Sequence, residues 1–185
     1  MEREPFTQMW SSVARTLQEL LWNNVGDTVE RQLPELIERS KDKKKPLGTL
    51  RLDPDLVVPG YNASIDIHCM PGGYHTDTTE DDVYAGGIYD RGAYYYVAGL
   101  MGKNAHEFDD QPDNLFLEYQ GRRVIDYIKR EFLDFAPKRI LDMGCGTANS
   151  TLPYAEIFPD ADVYGVDLGA PMLRYGHARA EGFGR

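Results

Sequence analysis

Asp142, Gly144, Gly146 and Asp167 are the residues whose types and spacing point to chemistry. Arg139–Met143 reads as a short strand carrying an acid near its end. Gly144-Cys145-Gly146 reads as a turn and Thr147–Phe158 as a helix. Ala161–Asp167 reads as a second strand that ends in another acid. A Gly-x-Gly turn lets backbone approach a ligand closely, because no Cβ intervenes. In an open α/β sheet, ligands bind where strands end. A carboxylate at Asp167 is placed to accept the two ribose hydroxyls of an adenosine-containing cofactor.

The same residues discriminate between adenosine cofactors. Dinucleotide folds usually carry a third glycine and present a helix N-terminus to the pyrophosphate. Here the position three after Gly146 is Asn149. Asp142 stands two residues before the first glycine, where a carboxylate opposes a pyrophosphate. It suits the ammonium of a methionine moiety, directly or through water. The pattern favours S-adenosylmethionine, and a nicotinamide enzyme is the weaker reading.

The run Ile140-Leu141-Asp142-Met143-Gly144-Cys145-Gly146-Thr147-Ala148 resembles the first motif of class I S-adenosylmethionine-dependent methyltransferases. Val163-Tyr164-Gly165-Val166-Asp167-Leu168-Gly169-Ala170-Pro171-Met172-Leu173 resembles the segment that follows it. The resemblance implies that Gly144, Cys145 and Gly146 border the methionine part of the cofactor. It implies that Asp167 holds the ribose and that Leu168 packs near the adenine. Tyr89-Asp90 resembles a Tyr-Asp segment that covers the cofactor in some related methyltransferases, and a tyrosine face can attract a sulfonium by about 0.5–2 kcal/mol. Ala148 departs from the pattern. It stands where the family often has a further glycine, and its methyl adds bulk near the cofactor. The resemblance covers roughly residues 138–180. Two strands fall short of a class I sheet, so the remaining strands are expected beyond Arg185.

These residues need elements to position them. Phe6, Trp10, Val13, Leu17, Leu20 and Leu21 recur at helical spacing, and Gly26 is expected to end that helix. Asp27-Thr28-Val29-Glu30 offers a capping box for a second helix with Pro34 inside it. Lys41–Lys45 reads as a solvated helix end and linker. Residues 46–78 are rich in Pro, Gly, Asn, Asp and Thr, and read as ordered loop with a short strand at Thr49–Leu52. A helix is expected from Thr79 to about Leu100. Another follows with Asp113 as N-cap and Leu117, Gly121, Val124, Ile125, Ile128 and Phe132 on one face, closed by Pro137. Ala170–Ala180 reads as the last helix. Strand–helix–strand–helix at these lengths predicts a parallel sheet with a right-handed crossover. The expected division is a helical segment over 1–45, an acidic, tyrosine-rich extension or lid over 46–137, and a partial Rossmann-like cofactor domain over 138–185.

The chain has 185 residues and a net charge of −10. Residues 46–118 carry only Arg51, Arg91 and Lys103 against thirteen acids, so the excess lies in the middle third. Such a surface repels phosphate backbones and anionic lipid, which argues against nucleic-acid and membrane partners. Cys69 and Cys145 make no disulfide framework, and a reducing cytoplasm is the expected setting. Asp66, His68, Cys69, His75 and Asp77 match no common zinc spacing, so no metal is expected. Tyr61, Tyr74, Tyr84, Tyr89, Tyr94, Tyr95 and Tyr96 crowd the middle segment. Most read as packing, with Tyr89 the candidate for the cofactor pocket.

The resulting reading is an α/β, Rossmann-like methyltransferase fold, incomplete, preceded by a mainly helical extension. It would transfer a methyl group from S-adenosylmethionine to a small-molecule acceptor, by positioning and charge placement. The span 1–185 alone is expected to be inactive and to self-associate through an exposed sheet edge. The rival reading is a non-catalytic binding module with an incomplete Rossmann-like fold.

Overall fold

The helical spacing that starts at Phe6 does not stop at Gly26. In the computed structural model, which describes residues 4–41, 46–101 and 113–185, a single helix, α1, spans Pro5–Lys41. The expected break and capping box are therefore absent. Gly26 is buried in a close contact: a Cβ there would stand 3.2 Å from the Tyr84 hydroxyl. Glycine and proline inside a helix cost about 1 and 3 kcal/mol. Burying Trp22, Val25 and Val29, which α1 does, returns about 1.5–3 kcal/mol for each large apolar side chain. Packing outweighs propensity.

Two short turns follow: α2 over Gly60–Ala63 and a 3₁₀ turn over Ile67–Cys69. The strand expected at Thr49–Leu52 does not form. Glu181 instead captures the preceding chain, accepting hydrogen bonds from the backbone N–H groups of Leu47 and Gly48 at 2.9 Å. The next helix, α3, spans Tyr84–Met101 and starts later than Thr79. Asp82 delays it. Its buried carboxylate accepts from Thr78 N and Oγ1 at 3.0 and 2.6 Å, and from Tyr84 N at 2.7 Å, folding the acidic run into a turn.

The glycines of α3, which weaken it as an isolated helix, are where other elements press on it. A Cβ at Gly92 would lie 2.0 Å from the Trp22 ring, and one at Gly86 would lie 2.3 Å from Tyr175 Cβ. The core joins Trp22 and Val25 of α1, Met70 of the loop, Ala85 and Ile88 of α3, and Met172. It thus draws on all three segments of the expected division.

Helix α4 spans Asp113–Glu131. Gly121 and Ile125 are buried, whereas Val124 and Phe132 of the expected face are exposed. The cap at Asp113, Leu117, Tyr96 and the linker residues 42–45 lie outside the described residues or side chains.

Strand β1 spans Arg139–Met143, α5 Thr151–Ile157, β2 Asp162–Val166 and α6 Ala170–Gly182. The strands pair in parallel, with Arg139 opposite Asp162 and Met143 opposite Val166. Helix α5 starts four residues later than expected because the backbone before it is not helical: φ is positive at Gly144, Gly146 and Ala148. Ile140, Asp142 and Val163 are half-buried, whereas Leu141, Met143, Tyr164 and Val166 are exposed on the alternate positions. Among the described residues, no helix is long and apolar enough to cross a membrane.

Candidate functional site

The turn after β1 is tied to the end of β2. Gly144 N and Cys145 N both donate to the Val166 carbonyl, at 2.8 and 3.0 Å. Asp167 completes the tie: its Oδ2 accepts from Gly146 N at 2.9 Å and its Oδ1 from Gly169 N at 2.8 Å. One carboxylate thus fixes the glycine turn and the entry to α6. A carboxylate offers about four acceptor positions, so these two bonds leave Asp167 capacity for a ligand.

A cavity of about 560 Å³ opens at these strand ends. Met143, Gly144, Val166, Asp167, Leu168 and Gly169 form one wall; Asn62, Ile67, Tyr74 and His75 form the other. Of the sequence candidates, Gly144, Asp167 and Leu168 line this cleft directly. A Cβ on Gly144 would meet nothing within 4 Å, so its backbone is open to an occupant. Gly146 and Tyr89 lie just behind. A Cβ on Gly146 would stand 4.0 Å from Tyr89 Cε1, and the Tyr89 ring meets the Tyr74 ring edge-on with centroids 5.5 Å apart.

Asp142 and Cys145 are placed differently from the expectation. Asp142 Oδ2 accepts hydrogen bonds from Ser150 Oγ at 2.8 Å and Thr151 Oγ1 at 2.6 Å, so this oxygen anchors the start of α5. Cys145 is buried, and a Cβ on Gly165 would lie 2.9 Å from its sulfur. The Cys145 side chain lines a second cavity, about 300 Å³, between the sheet, α5 and α6. Ala148 lines that cavity too and is not among the residues lining the cleft.

The opposite wall is held by contacts between residues distant in sequence. The Tyr74 hydroxyl hydrogen-bonds to His68 Nδ1, and the His68 carbonyl accepts from Trp22 Nε1 at 2.8 Å. The Tyr74 carbonyl lies against Gly169, where a Cβ would come within 2.2 Å of it. Tyr74, Asn62 and Ile67 are not among the expected cofactor residues. Pro71-Gly72-Gly73 marks a turn here, and its glycines have φ of +76° and +62°. Asp77, weighed with the histidines as a ligand, pairs instead with both terminal nitrogens of Arg174, at 2.8 and 3.0 Å. Asp90 accepts from the Tyr175 hydroxyl at 2.9 Å.

The electrostatics follow from burial and from one carboxylate. Burial raises the Tyr74 pKa, and Tyr89 and Asp167 raise it further. Tyr89 is raised by burial, then by Asp90 and Asp167. Both therefore stay neutral phenols. Burial, then Asp167 and Asp142, pushes the Cys145 thiol up to about 12, which makes it inert rather than nucleophilic. Among the described residues, the lining includes one carboxylate and the His75 imidazole, and no lysine or arginine. Such a cleft favours a cation over a pyrophosphate.

Comparison with known proteins agrees with this geometry. Residues 140–184 match the family model described as a methyltransferase domain. The match covers the strand–glycine turn–helix–strand–helix unit, and the relatives it resembles are methyltransferases. A trans-aconitate 2-methyltransferase of Rhodopseudomonas palustris (strain HaA2) is 50% identical over 44 residues, 24% of this chain and 17% of that protein. One from Azoarcus sp. (strain BH72) is 42% identical over 67 residues, 36% of this chain and 26% of that protein. A demethylmenaquinone methyltransferase of Thermus thermophilus is 41% identical over 63 residues, 34% of this chain and 27% of that protein. The chain thus spans about a quarter or less of the length of these relatives. No solved structure matches the chain.

Proposed function

We propose that this chain binds S-adenosylmethionine in the cleft at the ends of β1 and β2, and serves methyl transfer to a small-molecule acceptor. The observation that carries the reading is Asp167: a carboxylate fixed by Gly146 N and Gly169 N, facing a cleft that, among the described residues, holds no lysine or arginine. Asp167 would accept the ribose hydroxyls, Leu168 would pack against the adenine, and Gly144 would give the methionine part close access to backbone. The bound cofactor supplies an electrophilic methyl group on a sulfonium. The chain's own contribution is to orient that cation beside neutral tyrosine faces and to exclude water. A volume of about 560 Å³ falls among small-molecule pockets, about 300–1,000 Å³. The acceptors named for the relatives belong to those proteins.

Isothermal calorimetry tests the reading. S-adenosylmethionine is expected to bind, and Asp167→Ala to weaken it by about 1–3 kcal/mol, the scale of hydrogen bonds to a charged group. Heat from NADH with none from S-adenosylmethionine would overturn the assignment.

A further inference from the structure

Helix α1 carries two apolar stripes on different faces. Trp22, Val25 and Val29 are buried in the core. Phe6, Trp10, Val13, Leu17 and Leu20 form the other, spaced 4, 3, 4 and 3 residues apart, and all are exposed: Phe6 at 71%, Trp10 at 62% and Leu17 at 61%. At 100° per residue the two stripes point well apart, so the turns before Trp22 do not reach the core with this face.

We infer that the Phe6–Leu20 stripe is a dimerisation seam that pairs with the same stripe of a second copy, antiparallel, about a two-fold axis near Val13. The alternating 4-3 spacing is that of a coiled-coil seam, and it runs for about 21 Å along the helix. A two-fold interface needs a patch that fits itself. Antiparallel pairing about Val13 sets Phe6 against Leu20 and Trp10 against Leu17, large side chains against medium ones, with the smallest at the crossing. It places Arg15 opposite Ser11 and Glu19 opposite Thr7, so no like charges meet. It also carries two bodies of net charge −10 to opposite ends of the pair; parallel pairing would set them side by side. With Met9, also exposed, the side chains present on the order of 600 Å² per copy, near the ~800 Å² per partner of a standard interface. A lipid surface fits less well, because interfacial helices carry many basic residues on the polar face and residues 5–20 hold one, Arg15.

Sedimentation velocity on the 185-residue chain is expected to show a concentration-dependent dimer. Val13→Glu with Leu17→Glu should raise its dissociation constant at least a hundredfold with helicity unchanged by circular dichroism. A covalent readout stands beside it: in a Cys69→Ser background, Val13→Cys should cross-link into a dimer under mild oxidation, and Glu19→Cys, on the far side of α1, should not. The inference is overturned by a monomer at every concentration, by association that survives the double substitution, by equal cross-linking of both cysteine variants, or by binding to anionic vesicles without self-association. Association that instead yields to Tyr164→Lys would place the contact on the open sheet face.

Discussion

The two walls of the cleft are built by opposite means. The wall at residues 143–144 and 166–169 is made by two short segments of one βαβ unit, a glycine turn and the acid that accepts from Gly146 N and Gly169 N. The wall at residues 62–75 is made by distant partners, with Trp22 of α1 gripping the His68 carbonyl and Gly169 receiving the Tyr74 carbonyl. The difference teaches where chemistry is legible. A turn that must place backbone N–H groups on a carboxylate restricts its own residue types. A wall held by whatever packs behind it restricts almost nothing locally.

Gly169 is where the walls meet, and it gives the largest expected effect. A Cβ there would lie 2.2 Å from the Tyr74 carbonyl oxygen and 2.9 Å from Met172 Cγ. The oxygen is backbone and cannot swing away, so Gly169→Ala should cost about 3 kcal/mol, the upper end of overpacking. Gly144→Ala is the matched control. It has open space but φ of +75°, so only backbone strain applies, about 1–2 kcal/mol. Urea unfolding of the two variants measures the difference. Equal losses would mean that the walls are not joined at Gly169.

Tyr89 tests whether the distant wall serves the near one. It packs edge-on against Tyr74 and beside Gly146, whereas Tyr94 is exposed. Tyr89→Ala should lower S-adenosylmethionine affinity by about 1 kcal/mol, the scale of an aromatic pair, and Tyr94→Ala should leave it unchanged. Calorimetric titration of both variants decides. Equal, negligible effects would reduce Tyr89 to packing for α3.

The same contrast explains how much could be read without the structure. Strand β1 falls on its expected residues, and β2 and α6 fall within two residues of theirs, because a βαβ unit announces itself by short apolar runs between glycine and proline. Asp167, Gly144 and Leu168 line the cleft for the same reason. Asp142 was legible as an acid near the turn, but not its direction: Ser150 and Thr151, eight and nine residues on, offer hydroxyls on the far side of the strand. Gly26 and the Asp27–Glu30 capping box suggest two helices because their signals are local, while the gain that overrides them comes from Tyr84 and Ile88 across the core. Asp82 shortened α3 through a turn whose acid looked interchangeable with Glu80 and Asp81.

Cys145 separates the cleft from the cavity behind it. Its thiol is pushed up to about 12 by burial and by Asp167 and Asp142, while Cys69 is only half-buried. Iodoacetamide near pH 8 should label Cys69 and spare Cys145 in the folded protein. The linkage sign follows from a thiol whose folded pKa is raised. In the unfolded chain it ionises near 9 and in the folded chain near 12, so above pH 9 the unfolded state binds fewer protons. The Cys145 contribution should therefore be constant below pH 9 and erode as pH rises towards 12. Cys145→Ser should flatten that part of the stability profile. An unchanged slope would show that Cys145 ionises freely in the folded state.

Ala148 gives the smallest effect and the sharpest separation of stability from binding. It holds φ of +64° between two backbone bonds that fix it, its N–H to Cys145 O at 2.8 Å and its carbonyl from Leu152 N at 3.0 Å. A non-glycine residue in that region costs about 1–2 kcal/mol, while glycine gives the unfolded chain about 0.4–1 kcal/mol of extra freedom. Strain relief wins by a small margin, so Ala148→Gly should stabilise the protein by about 0.5–1 kcal/mol. The methyl lines the cavity behind the sheet rather than the cleft, so affinity for S-adenosylmethionine should not change. Thermal unfolding and calorimetry on the same variant read the two quantities independently. Tighter cofactor binding without added stability would place the methyl in the cleft, and would move the boundary between the two cavities to the other side of the glycine turn.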